Sequence, residues 1–324
     1  MTGDAQLALP GVLPDGAVEW VWCEETEDVT EDAEFDHRAV MKGEVVAALA
    51  PRPGGVYVDA TLGRGGHTAG LLDAEAGRVI GIDRDDAALD ATRQRLADYG
   101  DRVTFIHASF GSVAEVLGSL GIRQVDGICA DLGVSSPQLD DPARGMSFRR
   151  EGPIDMRMDL SGGTTALELI EELSDEALAD VLFRYGEEHR SRRIARSIKR
   201  ALHDGELLTT LDLRRAVVRA VGPVRVGGVD PATKTFQALR IAVNGELDEL
   251  STLIASAAGV LAPGGVIAVL SFHSLEDRIV KRAFQDSAVW EPLWKKPRIA
   301  ADEETAENPR ARSAKLRAAK RAPV

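Results

Sequence analysis

The sequence predicts a doubly wound α/β sheet interrupted by a mostly helical insert, and three observations carry that reading. Four short apolar, β-branched segments, at 56–62, 78–83, 103–108 and 125–132, alternate with helical segments. A Gly-rich turn, Gly63-Arg64-Gly65-Gly66, follows the first of them. The alternation then stops at Gly133 and resumes with an apolar strand at 266–272. Continuous apolar strands separated by helices indicate βαβ units and a parallel sheet covered on both faces. Right-handed crossovers wind such units into a doubly wound sheet.

Each element follows from its local pattern. Residues 37–50 form a short amphipathic helix, and helices fill the gaps near 66–76, 84–96 and 112–120. Residues 140–230 lack strand signals and carry charge-rich helical segments, 174–185 and 191–203 among them. One long helix is expected over 233–261, broken by Pro263-Gly264-Gly265, and a further helix over 275–285. The expected organisation is an acidic leader at 1–36, a sheet domain at 37–139 and 231–305, a helical insert at 140–230, and a basic tail at 306–324.

Composition restricts the class. The chain has 324 residues, 44% hydrophobic and 28% charged, enough for a sizeable core. Two cysteines, Cys23 and Cys129, cannot build a disulfide framework or a cysteine metal site, and a reducing cytoplasm is expected. No stretch approaches the ~20 apolar residues of a membrane span, so no membrane partner is expected. The net charge of −13 is concentrated in the leader, where residues 1–36 hold eleven acids and no Lys or Arg. The remainder is near neutral, and residues 310–324 carry six basic residues and no acid. The leader reads as a disordered solvated segment. The basic end suits either solvation or phosphate contact.

The strongest local signal is Val58-Asp59-Ala60-Thr61-Leu62-Gly63-Arg64-Gly65-Gly66-His67. A Gly-rich turn after the first strand lets backbone approach a ligand closely, and the helix behind it presents free N–H groups. Asp83 ends the second strand, where a carboxylate can accept from ribose hydroxyls. A nucleoside-containing cofactor is implied. Thr68 stands where a dinucleotide fingerprint wants its third glycine, and acidic Asp59 suits a cationic sulfonium cofactor instead. Asp131 ends the fourth strand and Phe110 follows the third, where it could cover an adenine. Both lie at the carboxyl ends of strands, where open α/β sheets bind ligands.

Longer motifs resemble a known family. Asp131-Leu132-Gly133-Val134-Ser135-Ser136-Pro137-Gln138-Leu139-Asp140, Arg144-Gly145-Met146-Ser147-Phe148 and Gly152-Pro153-Ile154-Asp155-Met156-Arg157-Met158-Asp159 run in order, followed by Lys234-Thr235-Phe236-Gln237-Ala238-Leu239-Arg240, Ser271-Phe272-His273-Ser274-Leu275-Glu276-Asp277-Arg278 and Asn308-Pro309-Arg310-Ala311-Arg312-Ser313-Ala314-Lys315-Leu316-Arg317. Together these resemble the bacterial 16S ribosomal RNA cytosine-N4 methyltransferases, the RsmH or MraW family. The resemblance implies a Rossmann-like class I methyltransferase sheet with an inserted helical domain, S-adenosylmethionine as methyl donor, and a decoding-centre cytosine of the small ribosomal subunit as target. Family cofactor contacts fall on Gly65, Gly66, His67, Asp83, Phe110, Asp131 and Gln138. The leader is longer than the family pattern, and no Asp/Asn-Pro-Pro-aromatic turn follows the fourth strand.

For that chemistry the exocyclic amine needs in-line placement and an acceptor for its N–H. Asp131 and the carbonyls after it are the candidates, with Ser135 and Ser136 orienting the base edge and His273 facing the same crevice. Neither a metal nor a covalent nucleophile is required, and Cys129, inside an apolar strand, reads as core. Asp155, Arg157 and Asp159 shape the substrate pocket or pair with one another. The RNA surface is expected on the insert, where residues 184–200 hold seven basic residues. Among them Arg192, Arg196 and Arg200 share one helical face; a solvated face is the alternative. Competing functions are an amino-methyltransferase on DNA or a small molecule, a non-catalytic ribosome-assembly module, and an NAD-dependent oxidoreductase. The oligomeric state, a homodimer included, is left open.

Overall fold

The computed structural model describes residues 39–223 and 229–323, and the leader expected at 1–36 lies outside them. From the first described residues the chain runs α1 (Lys42–Leu49), β1 (Val56–Asp59), α2 (Gly66–Asp73), β2 (Arg78–Asp83), α3 (Asp86–Arg95), β3 (Val103–His107), α4 (Val113–Ser119) and β4 (Val125–Asp131). The insert follows as α5 (Ser136–Asp140), α6 (Ala166–Glu172), α7 (Asp175–Gly186), α8 (Ser191–His203), α9 (Thr210–Val221) and α10 (Thr233–Asn244). The sheet layer resumes with α11 (Glu246–Val260), β5 (Leu261–Ser271), α12 (Ser274–Ala283), β6 (Trp290–Pro292), α13 (Asp302–Glu307) and β7 (Lys315–Arg321).

Among the described residues these strands form one sheet in the order β3-β2-β1-β4-β5-β7-β6. Pairs from β3 to β5 are parallel, whereas β7 runs antiparallel to both β5 and β6. The sheet is therefore mixed, not wholly parallel. Alternate strand residues face two separate cores. Val58, Ile80 and Ile128 pack with Leu117, Leu250 and Val280 of α4, α11 and α12. Tyr57, Val79 and Cys129 pack with Leu49 and Leu71 of α1 and α2. Among the described residues, no helix is long and apolar enough to cross a membrane.

Two expectations are corrected. The long helix expected over 233–261 breaks at Gly245, whose left-handed φ of 60° ends α10 and starts α11 in a new direction. The basic segment expected as a tail is instead the strand β7. It buries Leu316, Ala318 and Ala319 while Arg317 pairs with Asp277 at 2.7 Å. Strand β5 also absorbs Pro263-Gly264-Gly265: its register against β4 shifts between Val125 and Gly127, a bulge that Gly264 permits at φ 77°.

The helical layer has a third core of its own. Ile170, Leu182, Ile194, Ile198, Leu213, Val217 and Leu239 meet there, and Phe236 and Leu239 of α10 belong to it. In α8 the buried Ile194, Ala195, Ile198 and Ala201 recur at helical spacing, which turns Arg192, Arg196 and Arg200 to solvent. Thr165, Ser174 and Thr209 accept from backbone amides at the starts of α6, α7 and α9.

Candidate active site

The Gly-rich turn is built to run close to its surroundings. Gly63 and Gly65 hold left-handed φ of 49° and 73°, and a Cβ on Gly65 would stand 2.6 Å from Thr92 Cγ2. The Gly63 N–H donates to Asp83 Oδ2 at 2.7 Å, and its carbonyl accepts from Thr92 Oγ1 at 2.6 Å. The second Asp83 oxygen accepts from the Asp85 N–H at 2.9 Å. Burial raises the Asp83 carboxyl above its ordinary value, against the lowering effect of those two amides. The carboxylate thus stands at the end of β2 with its orientation fixed by backbone, and each oxygen keeps a lone pair for a further donor.

Beside it, three ionisable side chains meet at the carboxyl ends of β1 and β4. Asp59 is buried and accepts from Thr68 Oγ1 at 2.7 Å, which explains why a threonine occupies the position a dinucleotide fold gives to glycine. His67 Nε2 lies 3.3 Å from Asp131 Oδ2, and the Asp131 N–H donates to Thr61 Oγ1 at 2.6 Å. Burial opposes protonation of His67, but the hydrogen bond and charge of Asp131, with the charge of Asp59, raise it above the ordinary imidazole value. Burial likewise raises the Asp59 carboxyl. Asp59 Oδ1 and His67 Nδ1 are buried without hydrogen-bond partners, so this cluster retains unspent polar capacity. Cys129 lies in the core, its thiol pushed well up by burial.

A second network, invisible to local sequence patterns, fastens the turn after β2 to the segments that follow β4 and α10. Buried Arg144 reaches Asp85 Oδ2 at 3.1 Å and donates to the Arg157 and Met158 carbonyls. Gln138 Nε2 donates to the same Asp85 oxygen at 2.8 Å, and Gln138 Oε1 accepts from the Ser135 N–H at 3.1 Å. Arg84 donates to the Asn244 carbonyl, and Asn244 bonds the Met156 carbonyl and the Met158 N–H. Asp83, Arg84 and Asp85 therefore hold three different segments from one turn. No composition or spacing signal marks Asp85 or Asn244; Arg144 was visible only as part of a motif.

The other expected residues divide by place. Phe110 follows β3 half-buried, with the Arg84 guanidinium 5.3 Å from its ring centroid. Gly66 starts α2, and a Cβ there would meet Ala39 Cβ at 2.8 Å. Ser135 caps α5 in a capping box with Gln138, and Ser136 is the first residue of that helix. His273 caps α12: its Nδ1 accepts from the Glu276 N–H at 3.5 Å, and Nε2 sits 3.2 Å from Glu276 Oε1 without hydrogen-bond geometry. Asp155 and Arg157 form a two-pronged pair at 2.8 Å for both bonds. Asp159 faces His107 instead, at 3.7 Å. Arg192, Arg196 and Arg200 lie on the exposed face of α8.

A doubly wound sheet with a Gly-rich turn after its first strand and acids closing β1, β2 and β4 has the layout of a Rossmann-like methyltransferase. The model of the MraW methylase family matches residues 34–322, and the chain belongs to that family. It is similar to ribosomal RNA small subunit methyltransferase H of Sorangium cellulosum, 68% identical over 285 residues, which cover 88% of this chain and 90% of that protein. The proteins of the same name from Rhodospirillum centenum and Deinococcus radiodurans are 47% and 48% identical, covering 90% and 92% of this chain and 93% and 94% of their own.

Proposed function

We propose that this chain transfers the methyl group of S-adenosylmethionine to the N4 amine of a cytosine in the decoding centre of 16S ribosomal RNA, within the small ribosomal subunit. The observation that carries the reading is the family match across residues 34–322, which takes in the strand-end cluster around Asp131. In this reading residues 140–230 are the substrate-recognition domain, residues 37–139 and 231–305 the methyltransferase domain, and the protein works in the cytoplasm.

The cradle fits the donor. Gly63 has room where a Cβ would stand, Gly65 and Gly66 let the turn lie close against Thr92 and Ala39, Asp83 offers a fixed acceptor to ribose hydroxyls, and Phe110 offers a ring face to adenine. Gly65, Gly66, His67, Asp83, Phe110, Asp131 and Gln138 would hold it, Gln138 through Asp85 and the α5 cap. When bound, the donor supplies a methyl group already activated on a positively charged sulfur. Its charge suits a site bearing Asp59, Asp83 and Asp131.

The chain's own residues have two tasks. The cytosine amine is a poor nucleophile because its lone pair is delocalised into the ring. Asp131 accepts an amine N–H and localises that lone pair as the new bond forms. His67 fixes the carboxylate's direction through Oδ2, leaving Oδ1 for the amine. Ser135 and Ser136 are the candidates for orienting the base edge, and His273 for a contact on the substrate side of the crevice. Asp155 and Arg157 brace the loop beside it, and the target base enters unstacked from its RNA. Methyl transfer to small subunits prepared from a strain lacking the gene, followed by mapping of the modified nucleotide, tests the reading; a methyl group at any atom other than a cytosine N4 overturns it.

A further inference from the structure

We propose that a cleft beside the strand-end cluster, formed where β5 ends and β7 begins, is a second RNA subsite that grips the strand next to the target nucleotide. This rests on the rRNA reading above and names a part of the surface that reading leaves unassigned. The cleft has a volume of about 270 Å³ and is lined by Phe272, Ser274, Ile299, Arg312, Ser313 and Lys315, with His273 at its wall.

Its position follows from register. Asp131 of β4 pairs with Leu270 of β5, and Ser271 of β5 pairs with Lys315 of β7. All three strands therefore bring these residues to one end of the sheet. With neighbouring strands ~4.8 Å apart, β7 stands roughly 10 Å from β4. A nucleotide beside the one at Asp131 reaches that distance, and a remote helix face does not.

Its chemistry is amphipathic in the way a nucleotide is. Phe272 offers a half-buried ring, and Ile299 is 71% exposed, a large apolar side chain left uncovered at the cleft. Its two cations are loosely held. Asp277 binds Arg317 at 2.7 Å and must also serve Lys315 at 3.5 Å, so Lys315 is only loosely held. Arg312 is exposed, and among the described residues no carboxylate lies within 4.0 Å of its guanidinium. Glu187 is engaged by Ser274 and Arg278, and Glu276 by His273 and the Phe272 N–H. The acids of α13 pack beside the 309–313 turn, and no ion pair within 4.0 Å joins them to Arg312 among the described residues. Two cations with spare charge beside an apolar wall suit a phosphate and the base attached to it.

The test uses the full chain and small ribosomal subunits from a strain lacking the gene. Arg312→Gln with Lys315→Gln should raise KM for subunits roughly tenfold and flatten the log–log salt dependence of binding by roughly 1.4–1.8. Cofactor affinity should stay unchanged. Arg312→Gln alone, an exposed position without an internal partner, should give about half that flattening, which keeps the test sound if the double variant folds poorly. An unchanged salt slope in Arg312→Gln, with wild-type protein methylating subunits normally, overturns the subsite and leaves the rRNA reading standing. Failure of the wild-type protein to methylate subunits overturns both.

Discussion

His67 of α2 and Asp131 of β4 meet through Nε2 and Oδ2 at 3.3 Å, with buried Asp59 as a second negative neighbour of the imidazole. Asp131 and Asp59 raise the imidazole's affinity for a proton in the folded state, while Lys42 and burial oppose them. A group raised on folding stabilises fully below its unfolded value, near 6.5 for histidine, and loses that contribution as pH climbs through the folded value. Thermal stability of the wild-type protein should therefore fall more steeply than that of His67→Asn as pH rises above about 6.5. Parallel melting curves across that range would show that the contact contributes nothing to folding.

Asp83 holds the Gly63 and Asp85 amides as well as its proposed ribose. Asp83→Ala should weaken S-adenosylmethionine roughly 10- to 150-fold, the loss of a charge-assisted bond. It should also lower stability, because each orphaned amide costs about 1–3 kcal/mol. Asp83→Asn keeps one oxygen acceptor and should lose affinity with a smaller fall in melting temperature. Calorimetry showing wild-type affinity in Asp83→Asn would remove this residue from the cofactor site.

The Asp85–Arg144 pair is buried, with side-chain exposures of 8% and 7%. Arg144→Met leaves the carboxylate without its cation and should destabilise by about 3–5 kcal/mol. Asp85→Asn in the same chain should recover part of that loss, since the uncompensated charge is gone. Denaturant unfolding of the single and double variants measures the coupling. Strict additivity would mean that the two residues do not act as a pair.

On α8, Arg192, Arg196 and Arg200 all project to solvent from a helix whose other side is core. Replacing the three with Gln should raise KM for small subunits without moving cofactor affinity. Each lost phosphate contact should flatten the salt slope by roughly 0.7–0.9. A slope equal to the wild type would leave this face as solvated surface.

Much of the sheet was legible because its strands are short, apolar and β-branched, and Gly63 and Gly65 punctuate the first turn. Asp83 and Asp131 were legible as acids closing apolar strands. Strand β7 was not, because Lys315, Arg317 and Lys320 disguise the buried Leu316, Ala318 and Ala319. The ion that neutralises Arg317 comes from Asp277, 40 residues earlier. The break at Gly245 was hidden by helical periodicity on both sides of it. Gln138 is expected at the cofactor site from its motif alone, and its donation to Asp85 across 53 residues of chain is a link only the assembled fold creates.

Strands β4 and β5 are hydrogen-bonded neighbours, yet Asp131 and Leu261 lie about 130 residues apart along the chain. A flexible segment of that length would make their pairing slow, because its entropy must be surrendered before any contact is gained. The intervening helices have a core of their own, Ile194 and Leu213 among its members. Once that core forms, the two strands are joined by a compact body in place of a long loose chain. An insert that gathers this core early would act as a splint, shortening the search that brings β5 beside β4 and completes the floor of the crevice.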